Sequence, residues 1–271
     1  MKMTNNTKDI ALFETSQTIT LIEKILTKAL EEGLPNLKQK IDHIIAFAGD
    51  DAAEETLNTI IATLTQSLLF EELLAKISVS QDYLNKVLKR SYYHKNGFDK
   101  LVLLQGENFK LRLHVFHPAD RSTAMENIHD HRWHFASSIL YGQFGMELFQ
   151  EQEGGEEQRF AYTYHPALDK KDSYSVEERG KVQLGCIANH TLVAGMQYFL
   201  HREALHKITS MGKEGCVTLM LTAAGQKPTC KLYAAKPFEQ EEVHMERFTE
   251  AQLLNRFNWL TNKLNDHQIA S

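Results

Sequence analysis

The decapeptide ENIHDHRWHF, residues 126 to 135, places His129, His131 and His134 within six positions. In an extended chain, residues two apart point to the same side. His129 and His131 would then project together, at a separation that suits two ligands of one metal ion. His134 follows His131 by three and turns the other way, which makes it a neighbour of the pair rather than a member. An HxH pair also occurs on exposed strand faces that hold no metal, and the pair alone does not choose between the two readings. A second histidine-bearing run, AGMQYFLHREALHKITS, starts at Ala194 and carries His201, Glu203 and His206. His206 is the candidate third ligand. His201 and Glu203 stand as a further ligand or a substrate contact, and Glu203 is the carboxylate that would add an acid to the site. Arg112 and His114 share one face of the run FKLRLHVF, where they would bind a carboxylate and shuttle protons, or else belong to a solvated face. Tyr198 is either a pocket hydroxyl or packing.

The two runs resemble the paired motifs of the cupins. In that family the first motif is HxH, three or four residues, Glu, six residues and Gly. The second is Gly, five residues, Pro-x-Gly, two residues, His, three residues and Asn. Here His129, His131 and Gly142 fall in the first frame, with Phe135 where the Glu is expected. Gly195, His201-x-Glu203 and His206 follow the second frame, with Ser210 at the Asn position and without its Pro or turn Gly. The resemblance covers roughly residues 97 to 235. With the carboxylate missing, the chain looks most like cysteine dioxygenase and related three-histidine thiol dioxygenases. The IHDH tetrapeptide, His134 before the lost Glu, the LYGQF step, LHKI around His206 and the strand CVTLMLTAA share in that likeness. Two departures stand against it. The family's tyrosine on the last strand falls at about Thr222, and its carboxylate-binding arginine falls near Asp99 or Lys100.

What the resemblance implies is a jelly-roll barrel holding Fe(II) through His129, His131 and His206. Three neutral imidazoles leave the ion its full charge and open positions on one face for a small organic substrate and O₂. Anionic substrates are favoured, because the protein ligands bring no negative charge. The same ligands would take Zn, Ni, Mn or Cu. Two other functions use these residues: a ligand-sensing or scaffold module, and a metal-assisted isomerase or lyase with Glu203 or His114 as the base.

The elements that must position these residues follow from periodicity. Ile22, Ile25, Leu26 and Ala29 keep helical spacing up to Gly33 and Pro35, and a second helix is expected over 36 to 48. A third follows Asp50 and Asp51, with Leu57, Ile60, Ile61, Leu64 and Leu68 as its stripe. Another opens at Ser80. After Gly97 the period becomes two. Strands are expected at FKLRLHVF, SSILYGQFGMELFQ, RFAYTYHPA, KVQLGCIANHTLVAG, QYFLH, LHKITS and CVTLMLTAA. Helical spacing returns in the tail through Phe248, Leu253, Leu254, Phe257 and Leu260. His165, His190 and His244 are expected in loops. The fold class is therefore a mainly β jelly-roll barrel over 97–240, after a helical region over 1–96 and before a C-terminal helix over 241–271.

Composition excludes several classes. The net charge of −5, with no Lys/Arg cluster interleaved with aromatics, argues against nucleic acid or an anionic membrane as partner. No apolar run is long enough to span a bilayer or serve as a signal peptide, which predicts a cytoplasmic protein. Cys186, Cys216 and Cys230 form no CxxC pair and are expected as buried thiols. The helical region offers a surface for a partner or for a homodimer.

Overall fold

A computed structural model describes residues 20–66, 68–94, 97–117, 126–166, 174–237 and 246–269. Six helices and ten strands lie within them. Helix α1 covers 20–32 and stops at Gly33, whose φ of 119° suits glycine; α2 (Leu34–Ala48) starts at once with Pro35 in its first turn. Helix α3 (Ala53–Gln66) has Glu54 and Glu55 in its first turn and buries Leu57, Ile60, Ile61 and Leu64. It ends two residues before Leu68, which is 73% exposed and does not extend the expected stripe. Helices α4 (Leu69–Val79) and α5 (Gln81–Arg90) follow, separated by Ser80, which makes no side-chain cap.

The strands are β1 (Tyr92–His94), β2 (Phe98–Gln105), β3 (Phe109–Phe116), β4 (Ile128–His129), β5 (Phe135–Glu151), β6 (Glu157–Pro166), β7 (Tyr174–Val193), β8 (Gln197–Leu200), β9 (Leu205–Ala223) and β10 (Cys230–Ala234). All pairings are antiparallel, in the order β1-β2-β3-β9-β4-β10-β6-β7-β5-β8 with an added β9–β5 pairing. That added pairing connects the run from β9 through β4, β10, β6, β7 and β5 back to β9. LHKITS and CVTLMLTAA, expected as two strands, are the ends of one. Register shifts between β5 and β9 bend the pair, and Gly142 sits at one of them with φ 72°. A Cβ there would lie 2.1 Å from the Gly215 carbonyl oxygen, so the close approach needs glycine. Helix α6 (Glu250–Ile269) closes the chain and buries Leu253, Phe257 and Leu260.

Both faces of β3 are covered. Leu111, Leu113 and Val115 join the large core shared by the helices, β2, β9 and α6. Phe116 joins a second cluster with Phe98, Phe135, Ile139, Phe144, Cys216 and Met220. Arg112 and His114 lie on this second face, so the solvated reading of that face is corrected: they are 5% and 9% exposed. His165 and His190 lie within β6 and β7 rather than in loops, and His244 lies outside the described residues. Of the cysteines only Cys216 is buried; Cys230 is half-buried and Cys186 is exposed on β7. Among the described residues, no helix is long and apolar enough to cross a membrane.

Candidate metal centre

His129 is the last residue of β4, opposite His206 on one side and Leu232 on the other. Directly opposed residues of antiparallel strands share a face, which is how the fold joins two residues 77 positions apart. His131 lies beyond the strand, and the backbone around it is fixed by two other loops and by β10. The His131 N–H donates to the Arg202 carbonyl at 3.0 Å, and the Asp130 N–H to the Lys231 carbonyl at 3.2 Å. The Asp130 carboxylate, 1% exposed, accepts from the Lys231 N–H at 2.7 Å and from Lys227 Nζ at 2.5 Å. The Arg132 carbonyl accepts from the Gln226 N–H at 2.8 Å. The segment that carries His131 is thus held although it is not a strand.

One ligand nitrogen from each of His129, His131 and His206 lies within 4.8 Å of the others. The donor set fits a divalent transition metal on two further observations. His129 Nδ1 lies 2.9 Å from the Asn127 carbonyl oxygen, and His206 Nδ1 lies 3.0 Å from that of Ala204. A carbonyl only accepts, so both Nδ1 atoms carry the proton and both Nε2 lone pairs are left for a ligand bond. Burial pushes His206 down to about 3, and burial with the neighbouring imidazoles pushes His131 well below its usual value. Both are neutral near pH 7, the form that ligates. No carboxylate belongs to the group among the described residues. Phe135 instead stands edge-on to His131, 5.1 Å between ring centroids.

Trp133 stacks on His131 at 5.7 Å, and the Arg112 guanidinium lies 4.8 Å from the Trp133 ring centroid. His114 packs against Phe98 at 4.9 Å. Tyr198 stands edge-on to Phe135 and Phe144, and burial raises its hydroxyl's pKa while the Ser137 hydroxyl beside it lowers it. Arg112 Nε, His114 Nε2 and Trp133 Nε1 are buried with no hydrogen-bond partner. Burial lowers Arg112 to about 10, still cationic at neutral pH, and lowers His114 well below its usual range.

The structure thus brings His129, His131 and His206 together and sets Arg112, His114 and Tyr198 on the same inner face. It does not bring Glu203 there. The carbonyl of His201 accepts from the Ala204 N–H at 2.9 Å, closing a turn that leaves both His201 and Glu203 exposed. His134 also lies apart: it is buried, with Nε2 2.9 Å from Asp50 Oδ1 and its ring 4.4 Å from that of His201. Sequence reasoning gave no role to Asp130 or Lys110, and met Lys100 only as a position where the resembled family's arginine is missing. The alternation of Lys110, Arg112 and His114 was the available signal for the lysine on β3; Asp130 offered none, because its partners lie about a hundred residues later.

No family model matches the chain, and no curated protein matches it. Solved structures resemble parts of it, among them the following three. Hydroquinone 1,2-dioxygenase from Sphingomonas sp. TTNP3, with 4-hydroxybenzoate bound, is 7% identical over 46% of this chain and 64% of its own, with a TM-score of 0.29. The chain therefore spans less than two thirds of that protein. The polyketide cyclase RemF from Streptomyces resistomycificus is 14% identical over 56% and 82%, with a TM-score of 0.31. An RmlC-like cupin family protein with a double-stranded β-helix fold from Methanocaldococcus jannaschii is 11% identical over 50% and 90%, with a TM-score of 0.28. Likenesses of this extent say nothing about chemistry, which rests on the residues of the site.

Proposed function

We propose that this chain is a metal-dependent enzyme of the three-histidine cupin type, a jelly roll that uses Fe(II) and O₂ to oxidise a small anionic organic molecule, as the thiol dioxygenases do. The observation that carries it is the pair of Nδ1 contacts to backbone carbonyls, which turn Nε2 of His129 and His206 toward one another beside His131. When bound, iron would supply Lewis acidity and a redox couple through which O₂ reacts with an organic donor. The chain's own residues do the rest. Arg112 holds the substrate's negative group, its buried Nε having no hydrogen-bond partner. His114 is neutral with its Nε2 unpartnered, and Tyr198 keeps its proton and remains a donor. The phenylalanines of the inner face exclude water.

A second reading rests on His114 alone. A buried neutral imidazole with a free nitrogen is also the base that a metal-assisted isomerase or lyase needs. Metal analysis of the purified chain, followed by His206→Ala, tests the shared premise: the variant is expected to lose metal by at least about tenfold in affinity. Unchanged affinity, or no transition metal bound or rebound, sinks both readings. Oxygen consumption with a panel of thiols and small acids then separates them. Turnover without O₂ uptake selects the isomerase.

A further inference from the structure

The inner face of β2 and β3 carries three basic side chains, Lys100, Lys110 and Arg112, with no ion pair to an acid among the described residues, and burial lowers the pKa of each. Lys110 and Arg112 alternate along β3 with His114, and Lys100 is the register partner of His114 on β2, so all lie on one face. Among the described residues, the charged side chains that act on Lys100 and Lys110 are all cations: Arg112 and Lys110 on the first, Arg112, Arg132 and Arg90 on the second. Two half-buried lysines elsewhere are paired with acids. Lys207 has Glu147 at 3.0 Å and Glu157 at 3.5 Å, and Lys227 has Asp130. Here the compensation is aromatic and partial: Lys100 Nζ lies 5.4 Å from the Tyr92 ring centroid, and Arg112 lies over Trp133. Burying like charges side by side costs free energy that an anion would recover.

The cluster also adjoins the metal centre. Trp133 touches both Arg112 and His131, and Arg112 and Lys100 both act electrostatically on His131. Arg112 is 5% exposed, and its Nε has no partner. We propose that Lys100, Lys110 and Arg112 form an anion subsite beside the metal centre, and that the substrate is a small polyanion whose remote group carries two charges. A single carboxylate is matched by one arginine fork and would leave both lysines unpaired. A phosphate monoester or a second carboxylate accounts for all three. The substrate assignment rests on the metal-centre reading, whereas the subsite does not.

The test uses the metal-free full chain at low ionic strength, titrated calorimetrically with inorganic phosphate, malonate and acetate. Phosphate or malonate is expected to bind at least about tenfold more tightly than acetate, and Lys110→Gln, with unchanged near-ultraviolet dichroism, to lose about tenfold. Arg112→Gln should lose more. His206→Ala should bind the dianion as the parent does, so failure of the metal reading leaves this result standing. Preference for phosphate identifies a phosphate ester, and preference for malonate a dicarboxylate. Equal binding of all three anions, or full affinity in a folded Lys110→Gln chain, overturns the proposal.

Discussion

Asp130 lies between two candidate ligands and yet points away from them, toward Lys227 and the Lys231 N–H. Because it is buried, removing it leaves the Lys227 ammonium without its partner and frees the His131 backbone. Asp130→Ala should cost about 3 kcal/mol in urea denaturation and about tenfold in metal affinity. A stability loss with unchanged metal affinity would show that His131 needs no such support. The histidines themselves predict a pH dependence in the metal-free chain. His206 is held at about 3, below the ordinary value near 6.5 that it regains on unfolding. Below pH 6.5 the unfolded state takes up a proton that the folded state refuses. Stability is therefore full above 6.5 and falls as the pH drops, by about 2 kcal/mol between pH 6.5 and 5. His114 and His131 act in the same direction. A flat stability curve over that range would contradict the lowered pKa of all three. The thiols offer a simpler check: Cys186 is exposed, whereas burial raises Cys216 to about 12. A thiol reagent at pH 8 should label Cys186 quickly and Cys216 only on unfolding. The HxH pair was legible because its spacing is local, and His206 because it falls in the frame of the second cupin motif. The residues that hold them were not, since each acts across loops far apart in sequence.

At the scale of elements, the turn between α2 and α3 reaches the site's supporting loops. Asp50 in that turn accepts from Arg202 Nη1 at 2.8 Å and 2.9 Å and lies 2.9 Å from His134 Nε2. The Arg202 side chain also bonds Gln226, and the Arg202 carbonyl holds the His131 N–H. One carboxylate from the helical region thus ties together the loops on either side of the ligands. Asp50 is 45% exposed, so its ion pair contributes at most about 1 kcal/mol to stability. Its effect should appear in positioning instead: Asp50→Ala is expected to weaken metal binding about threefold, less than loss of a direct ligand partner, with little change in melting temperature. Glu54→Ala, in the first turn of α3, should change neither. Equal metal affinity in both variants would confine Asp50 to a surface role. Helices α3 and α6 and strand β3 could be read from the sequence because each has a plain period. Strand β2 was not read, because its LVLL run is apolar without alternation. A register shift between Val102 and Leu104 places Leu103 and Leu104 both in the helix-facing core. Leu68 was read into α3 by spacing alone, although that helix ends at Gln66.

At the scale of the molecule, the helices and the sheet share one core. Leu57 and Ile60 of α3, Leu74 of α4, Leu101 of β2, Leu113 of β3, Leu219 of β9 and Phe257 of α6 belong to a single cluster. Asp99, fully buried, pins α6 to β2 through Arg256 Nε at 2.6 Å and accepts from His117 at 3.0 Å. A helical region bound this way has no separate core to melt. The two tryptophans report on opposite sides of it: Trp133 beside the candidate metal centre and Trp259 on α6, against Tyr141 and His117. Far-ultraviolet dichroism, dominated by the helices, and tryptophan fluorescence should therefore trace one coincident urea transition. Leu74→Ala, in a helix that contributes no residue to the metal centre, should shift both signals together by about 2 to 5 kcal/mol. If the helical signal moved alone, the helices would be a separate folding unit, and the link from Asp50 to His131 would have to survive without a common core behind it.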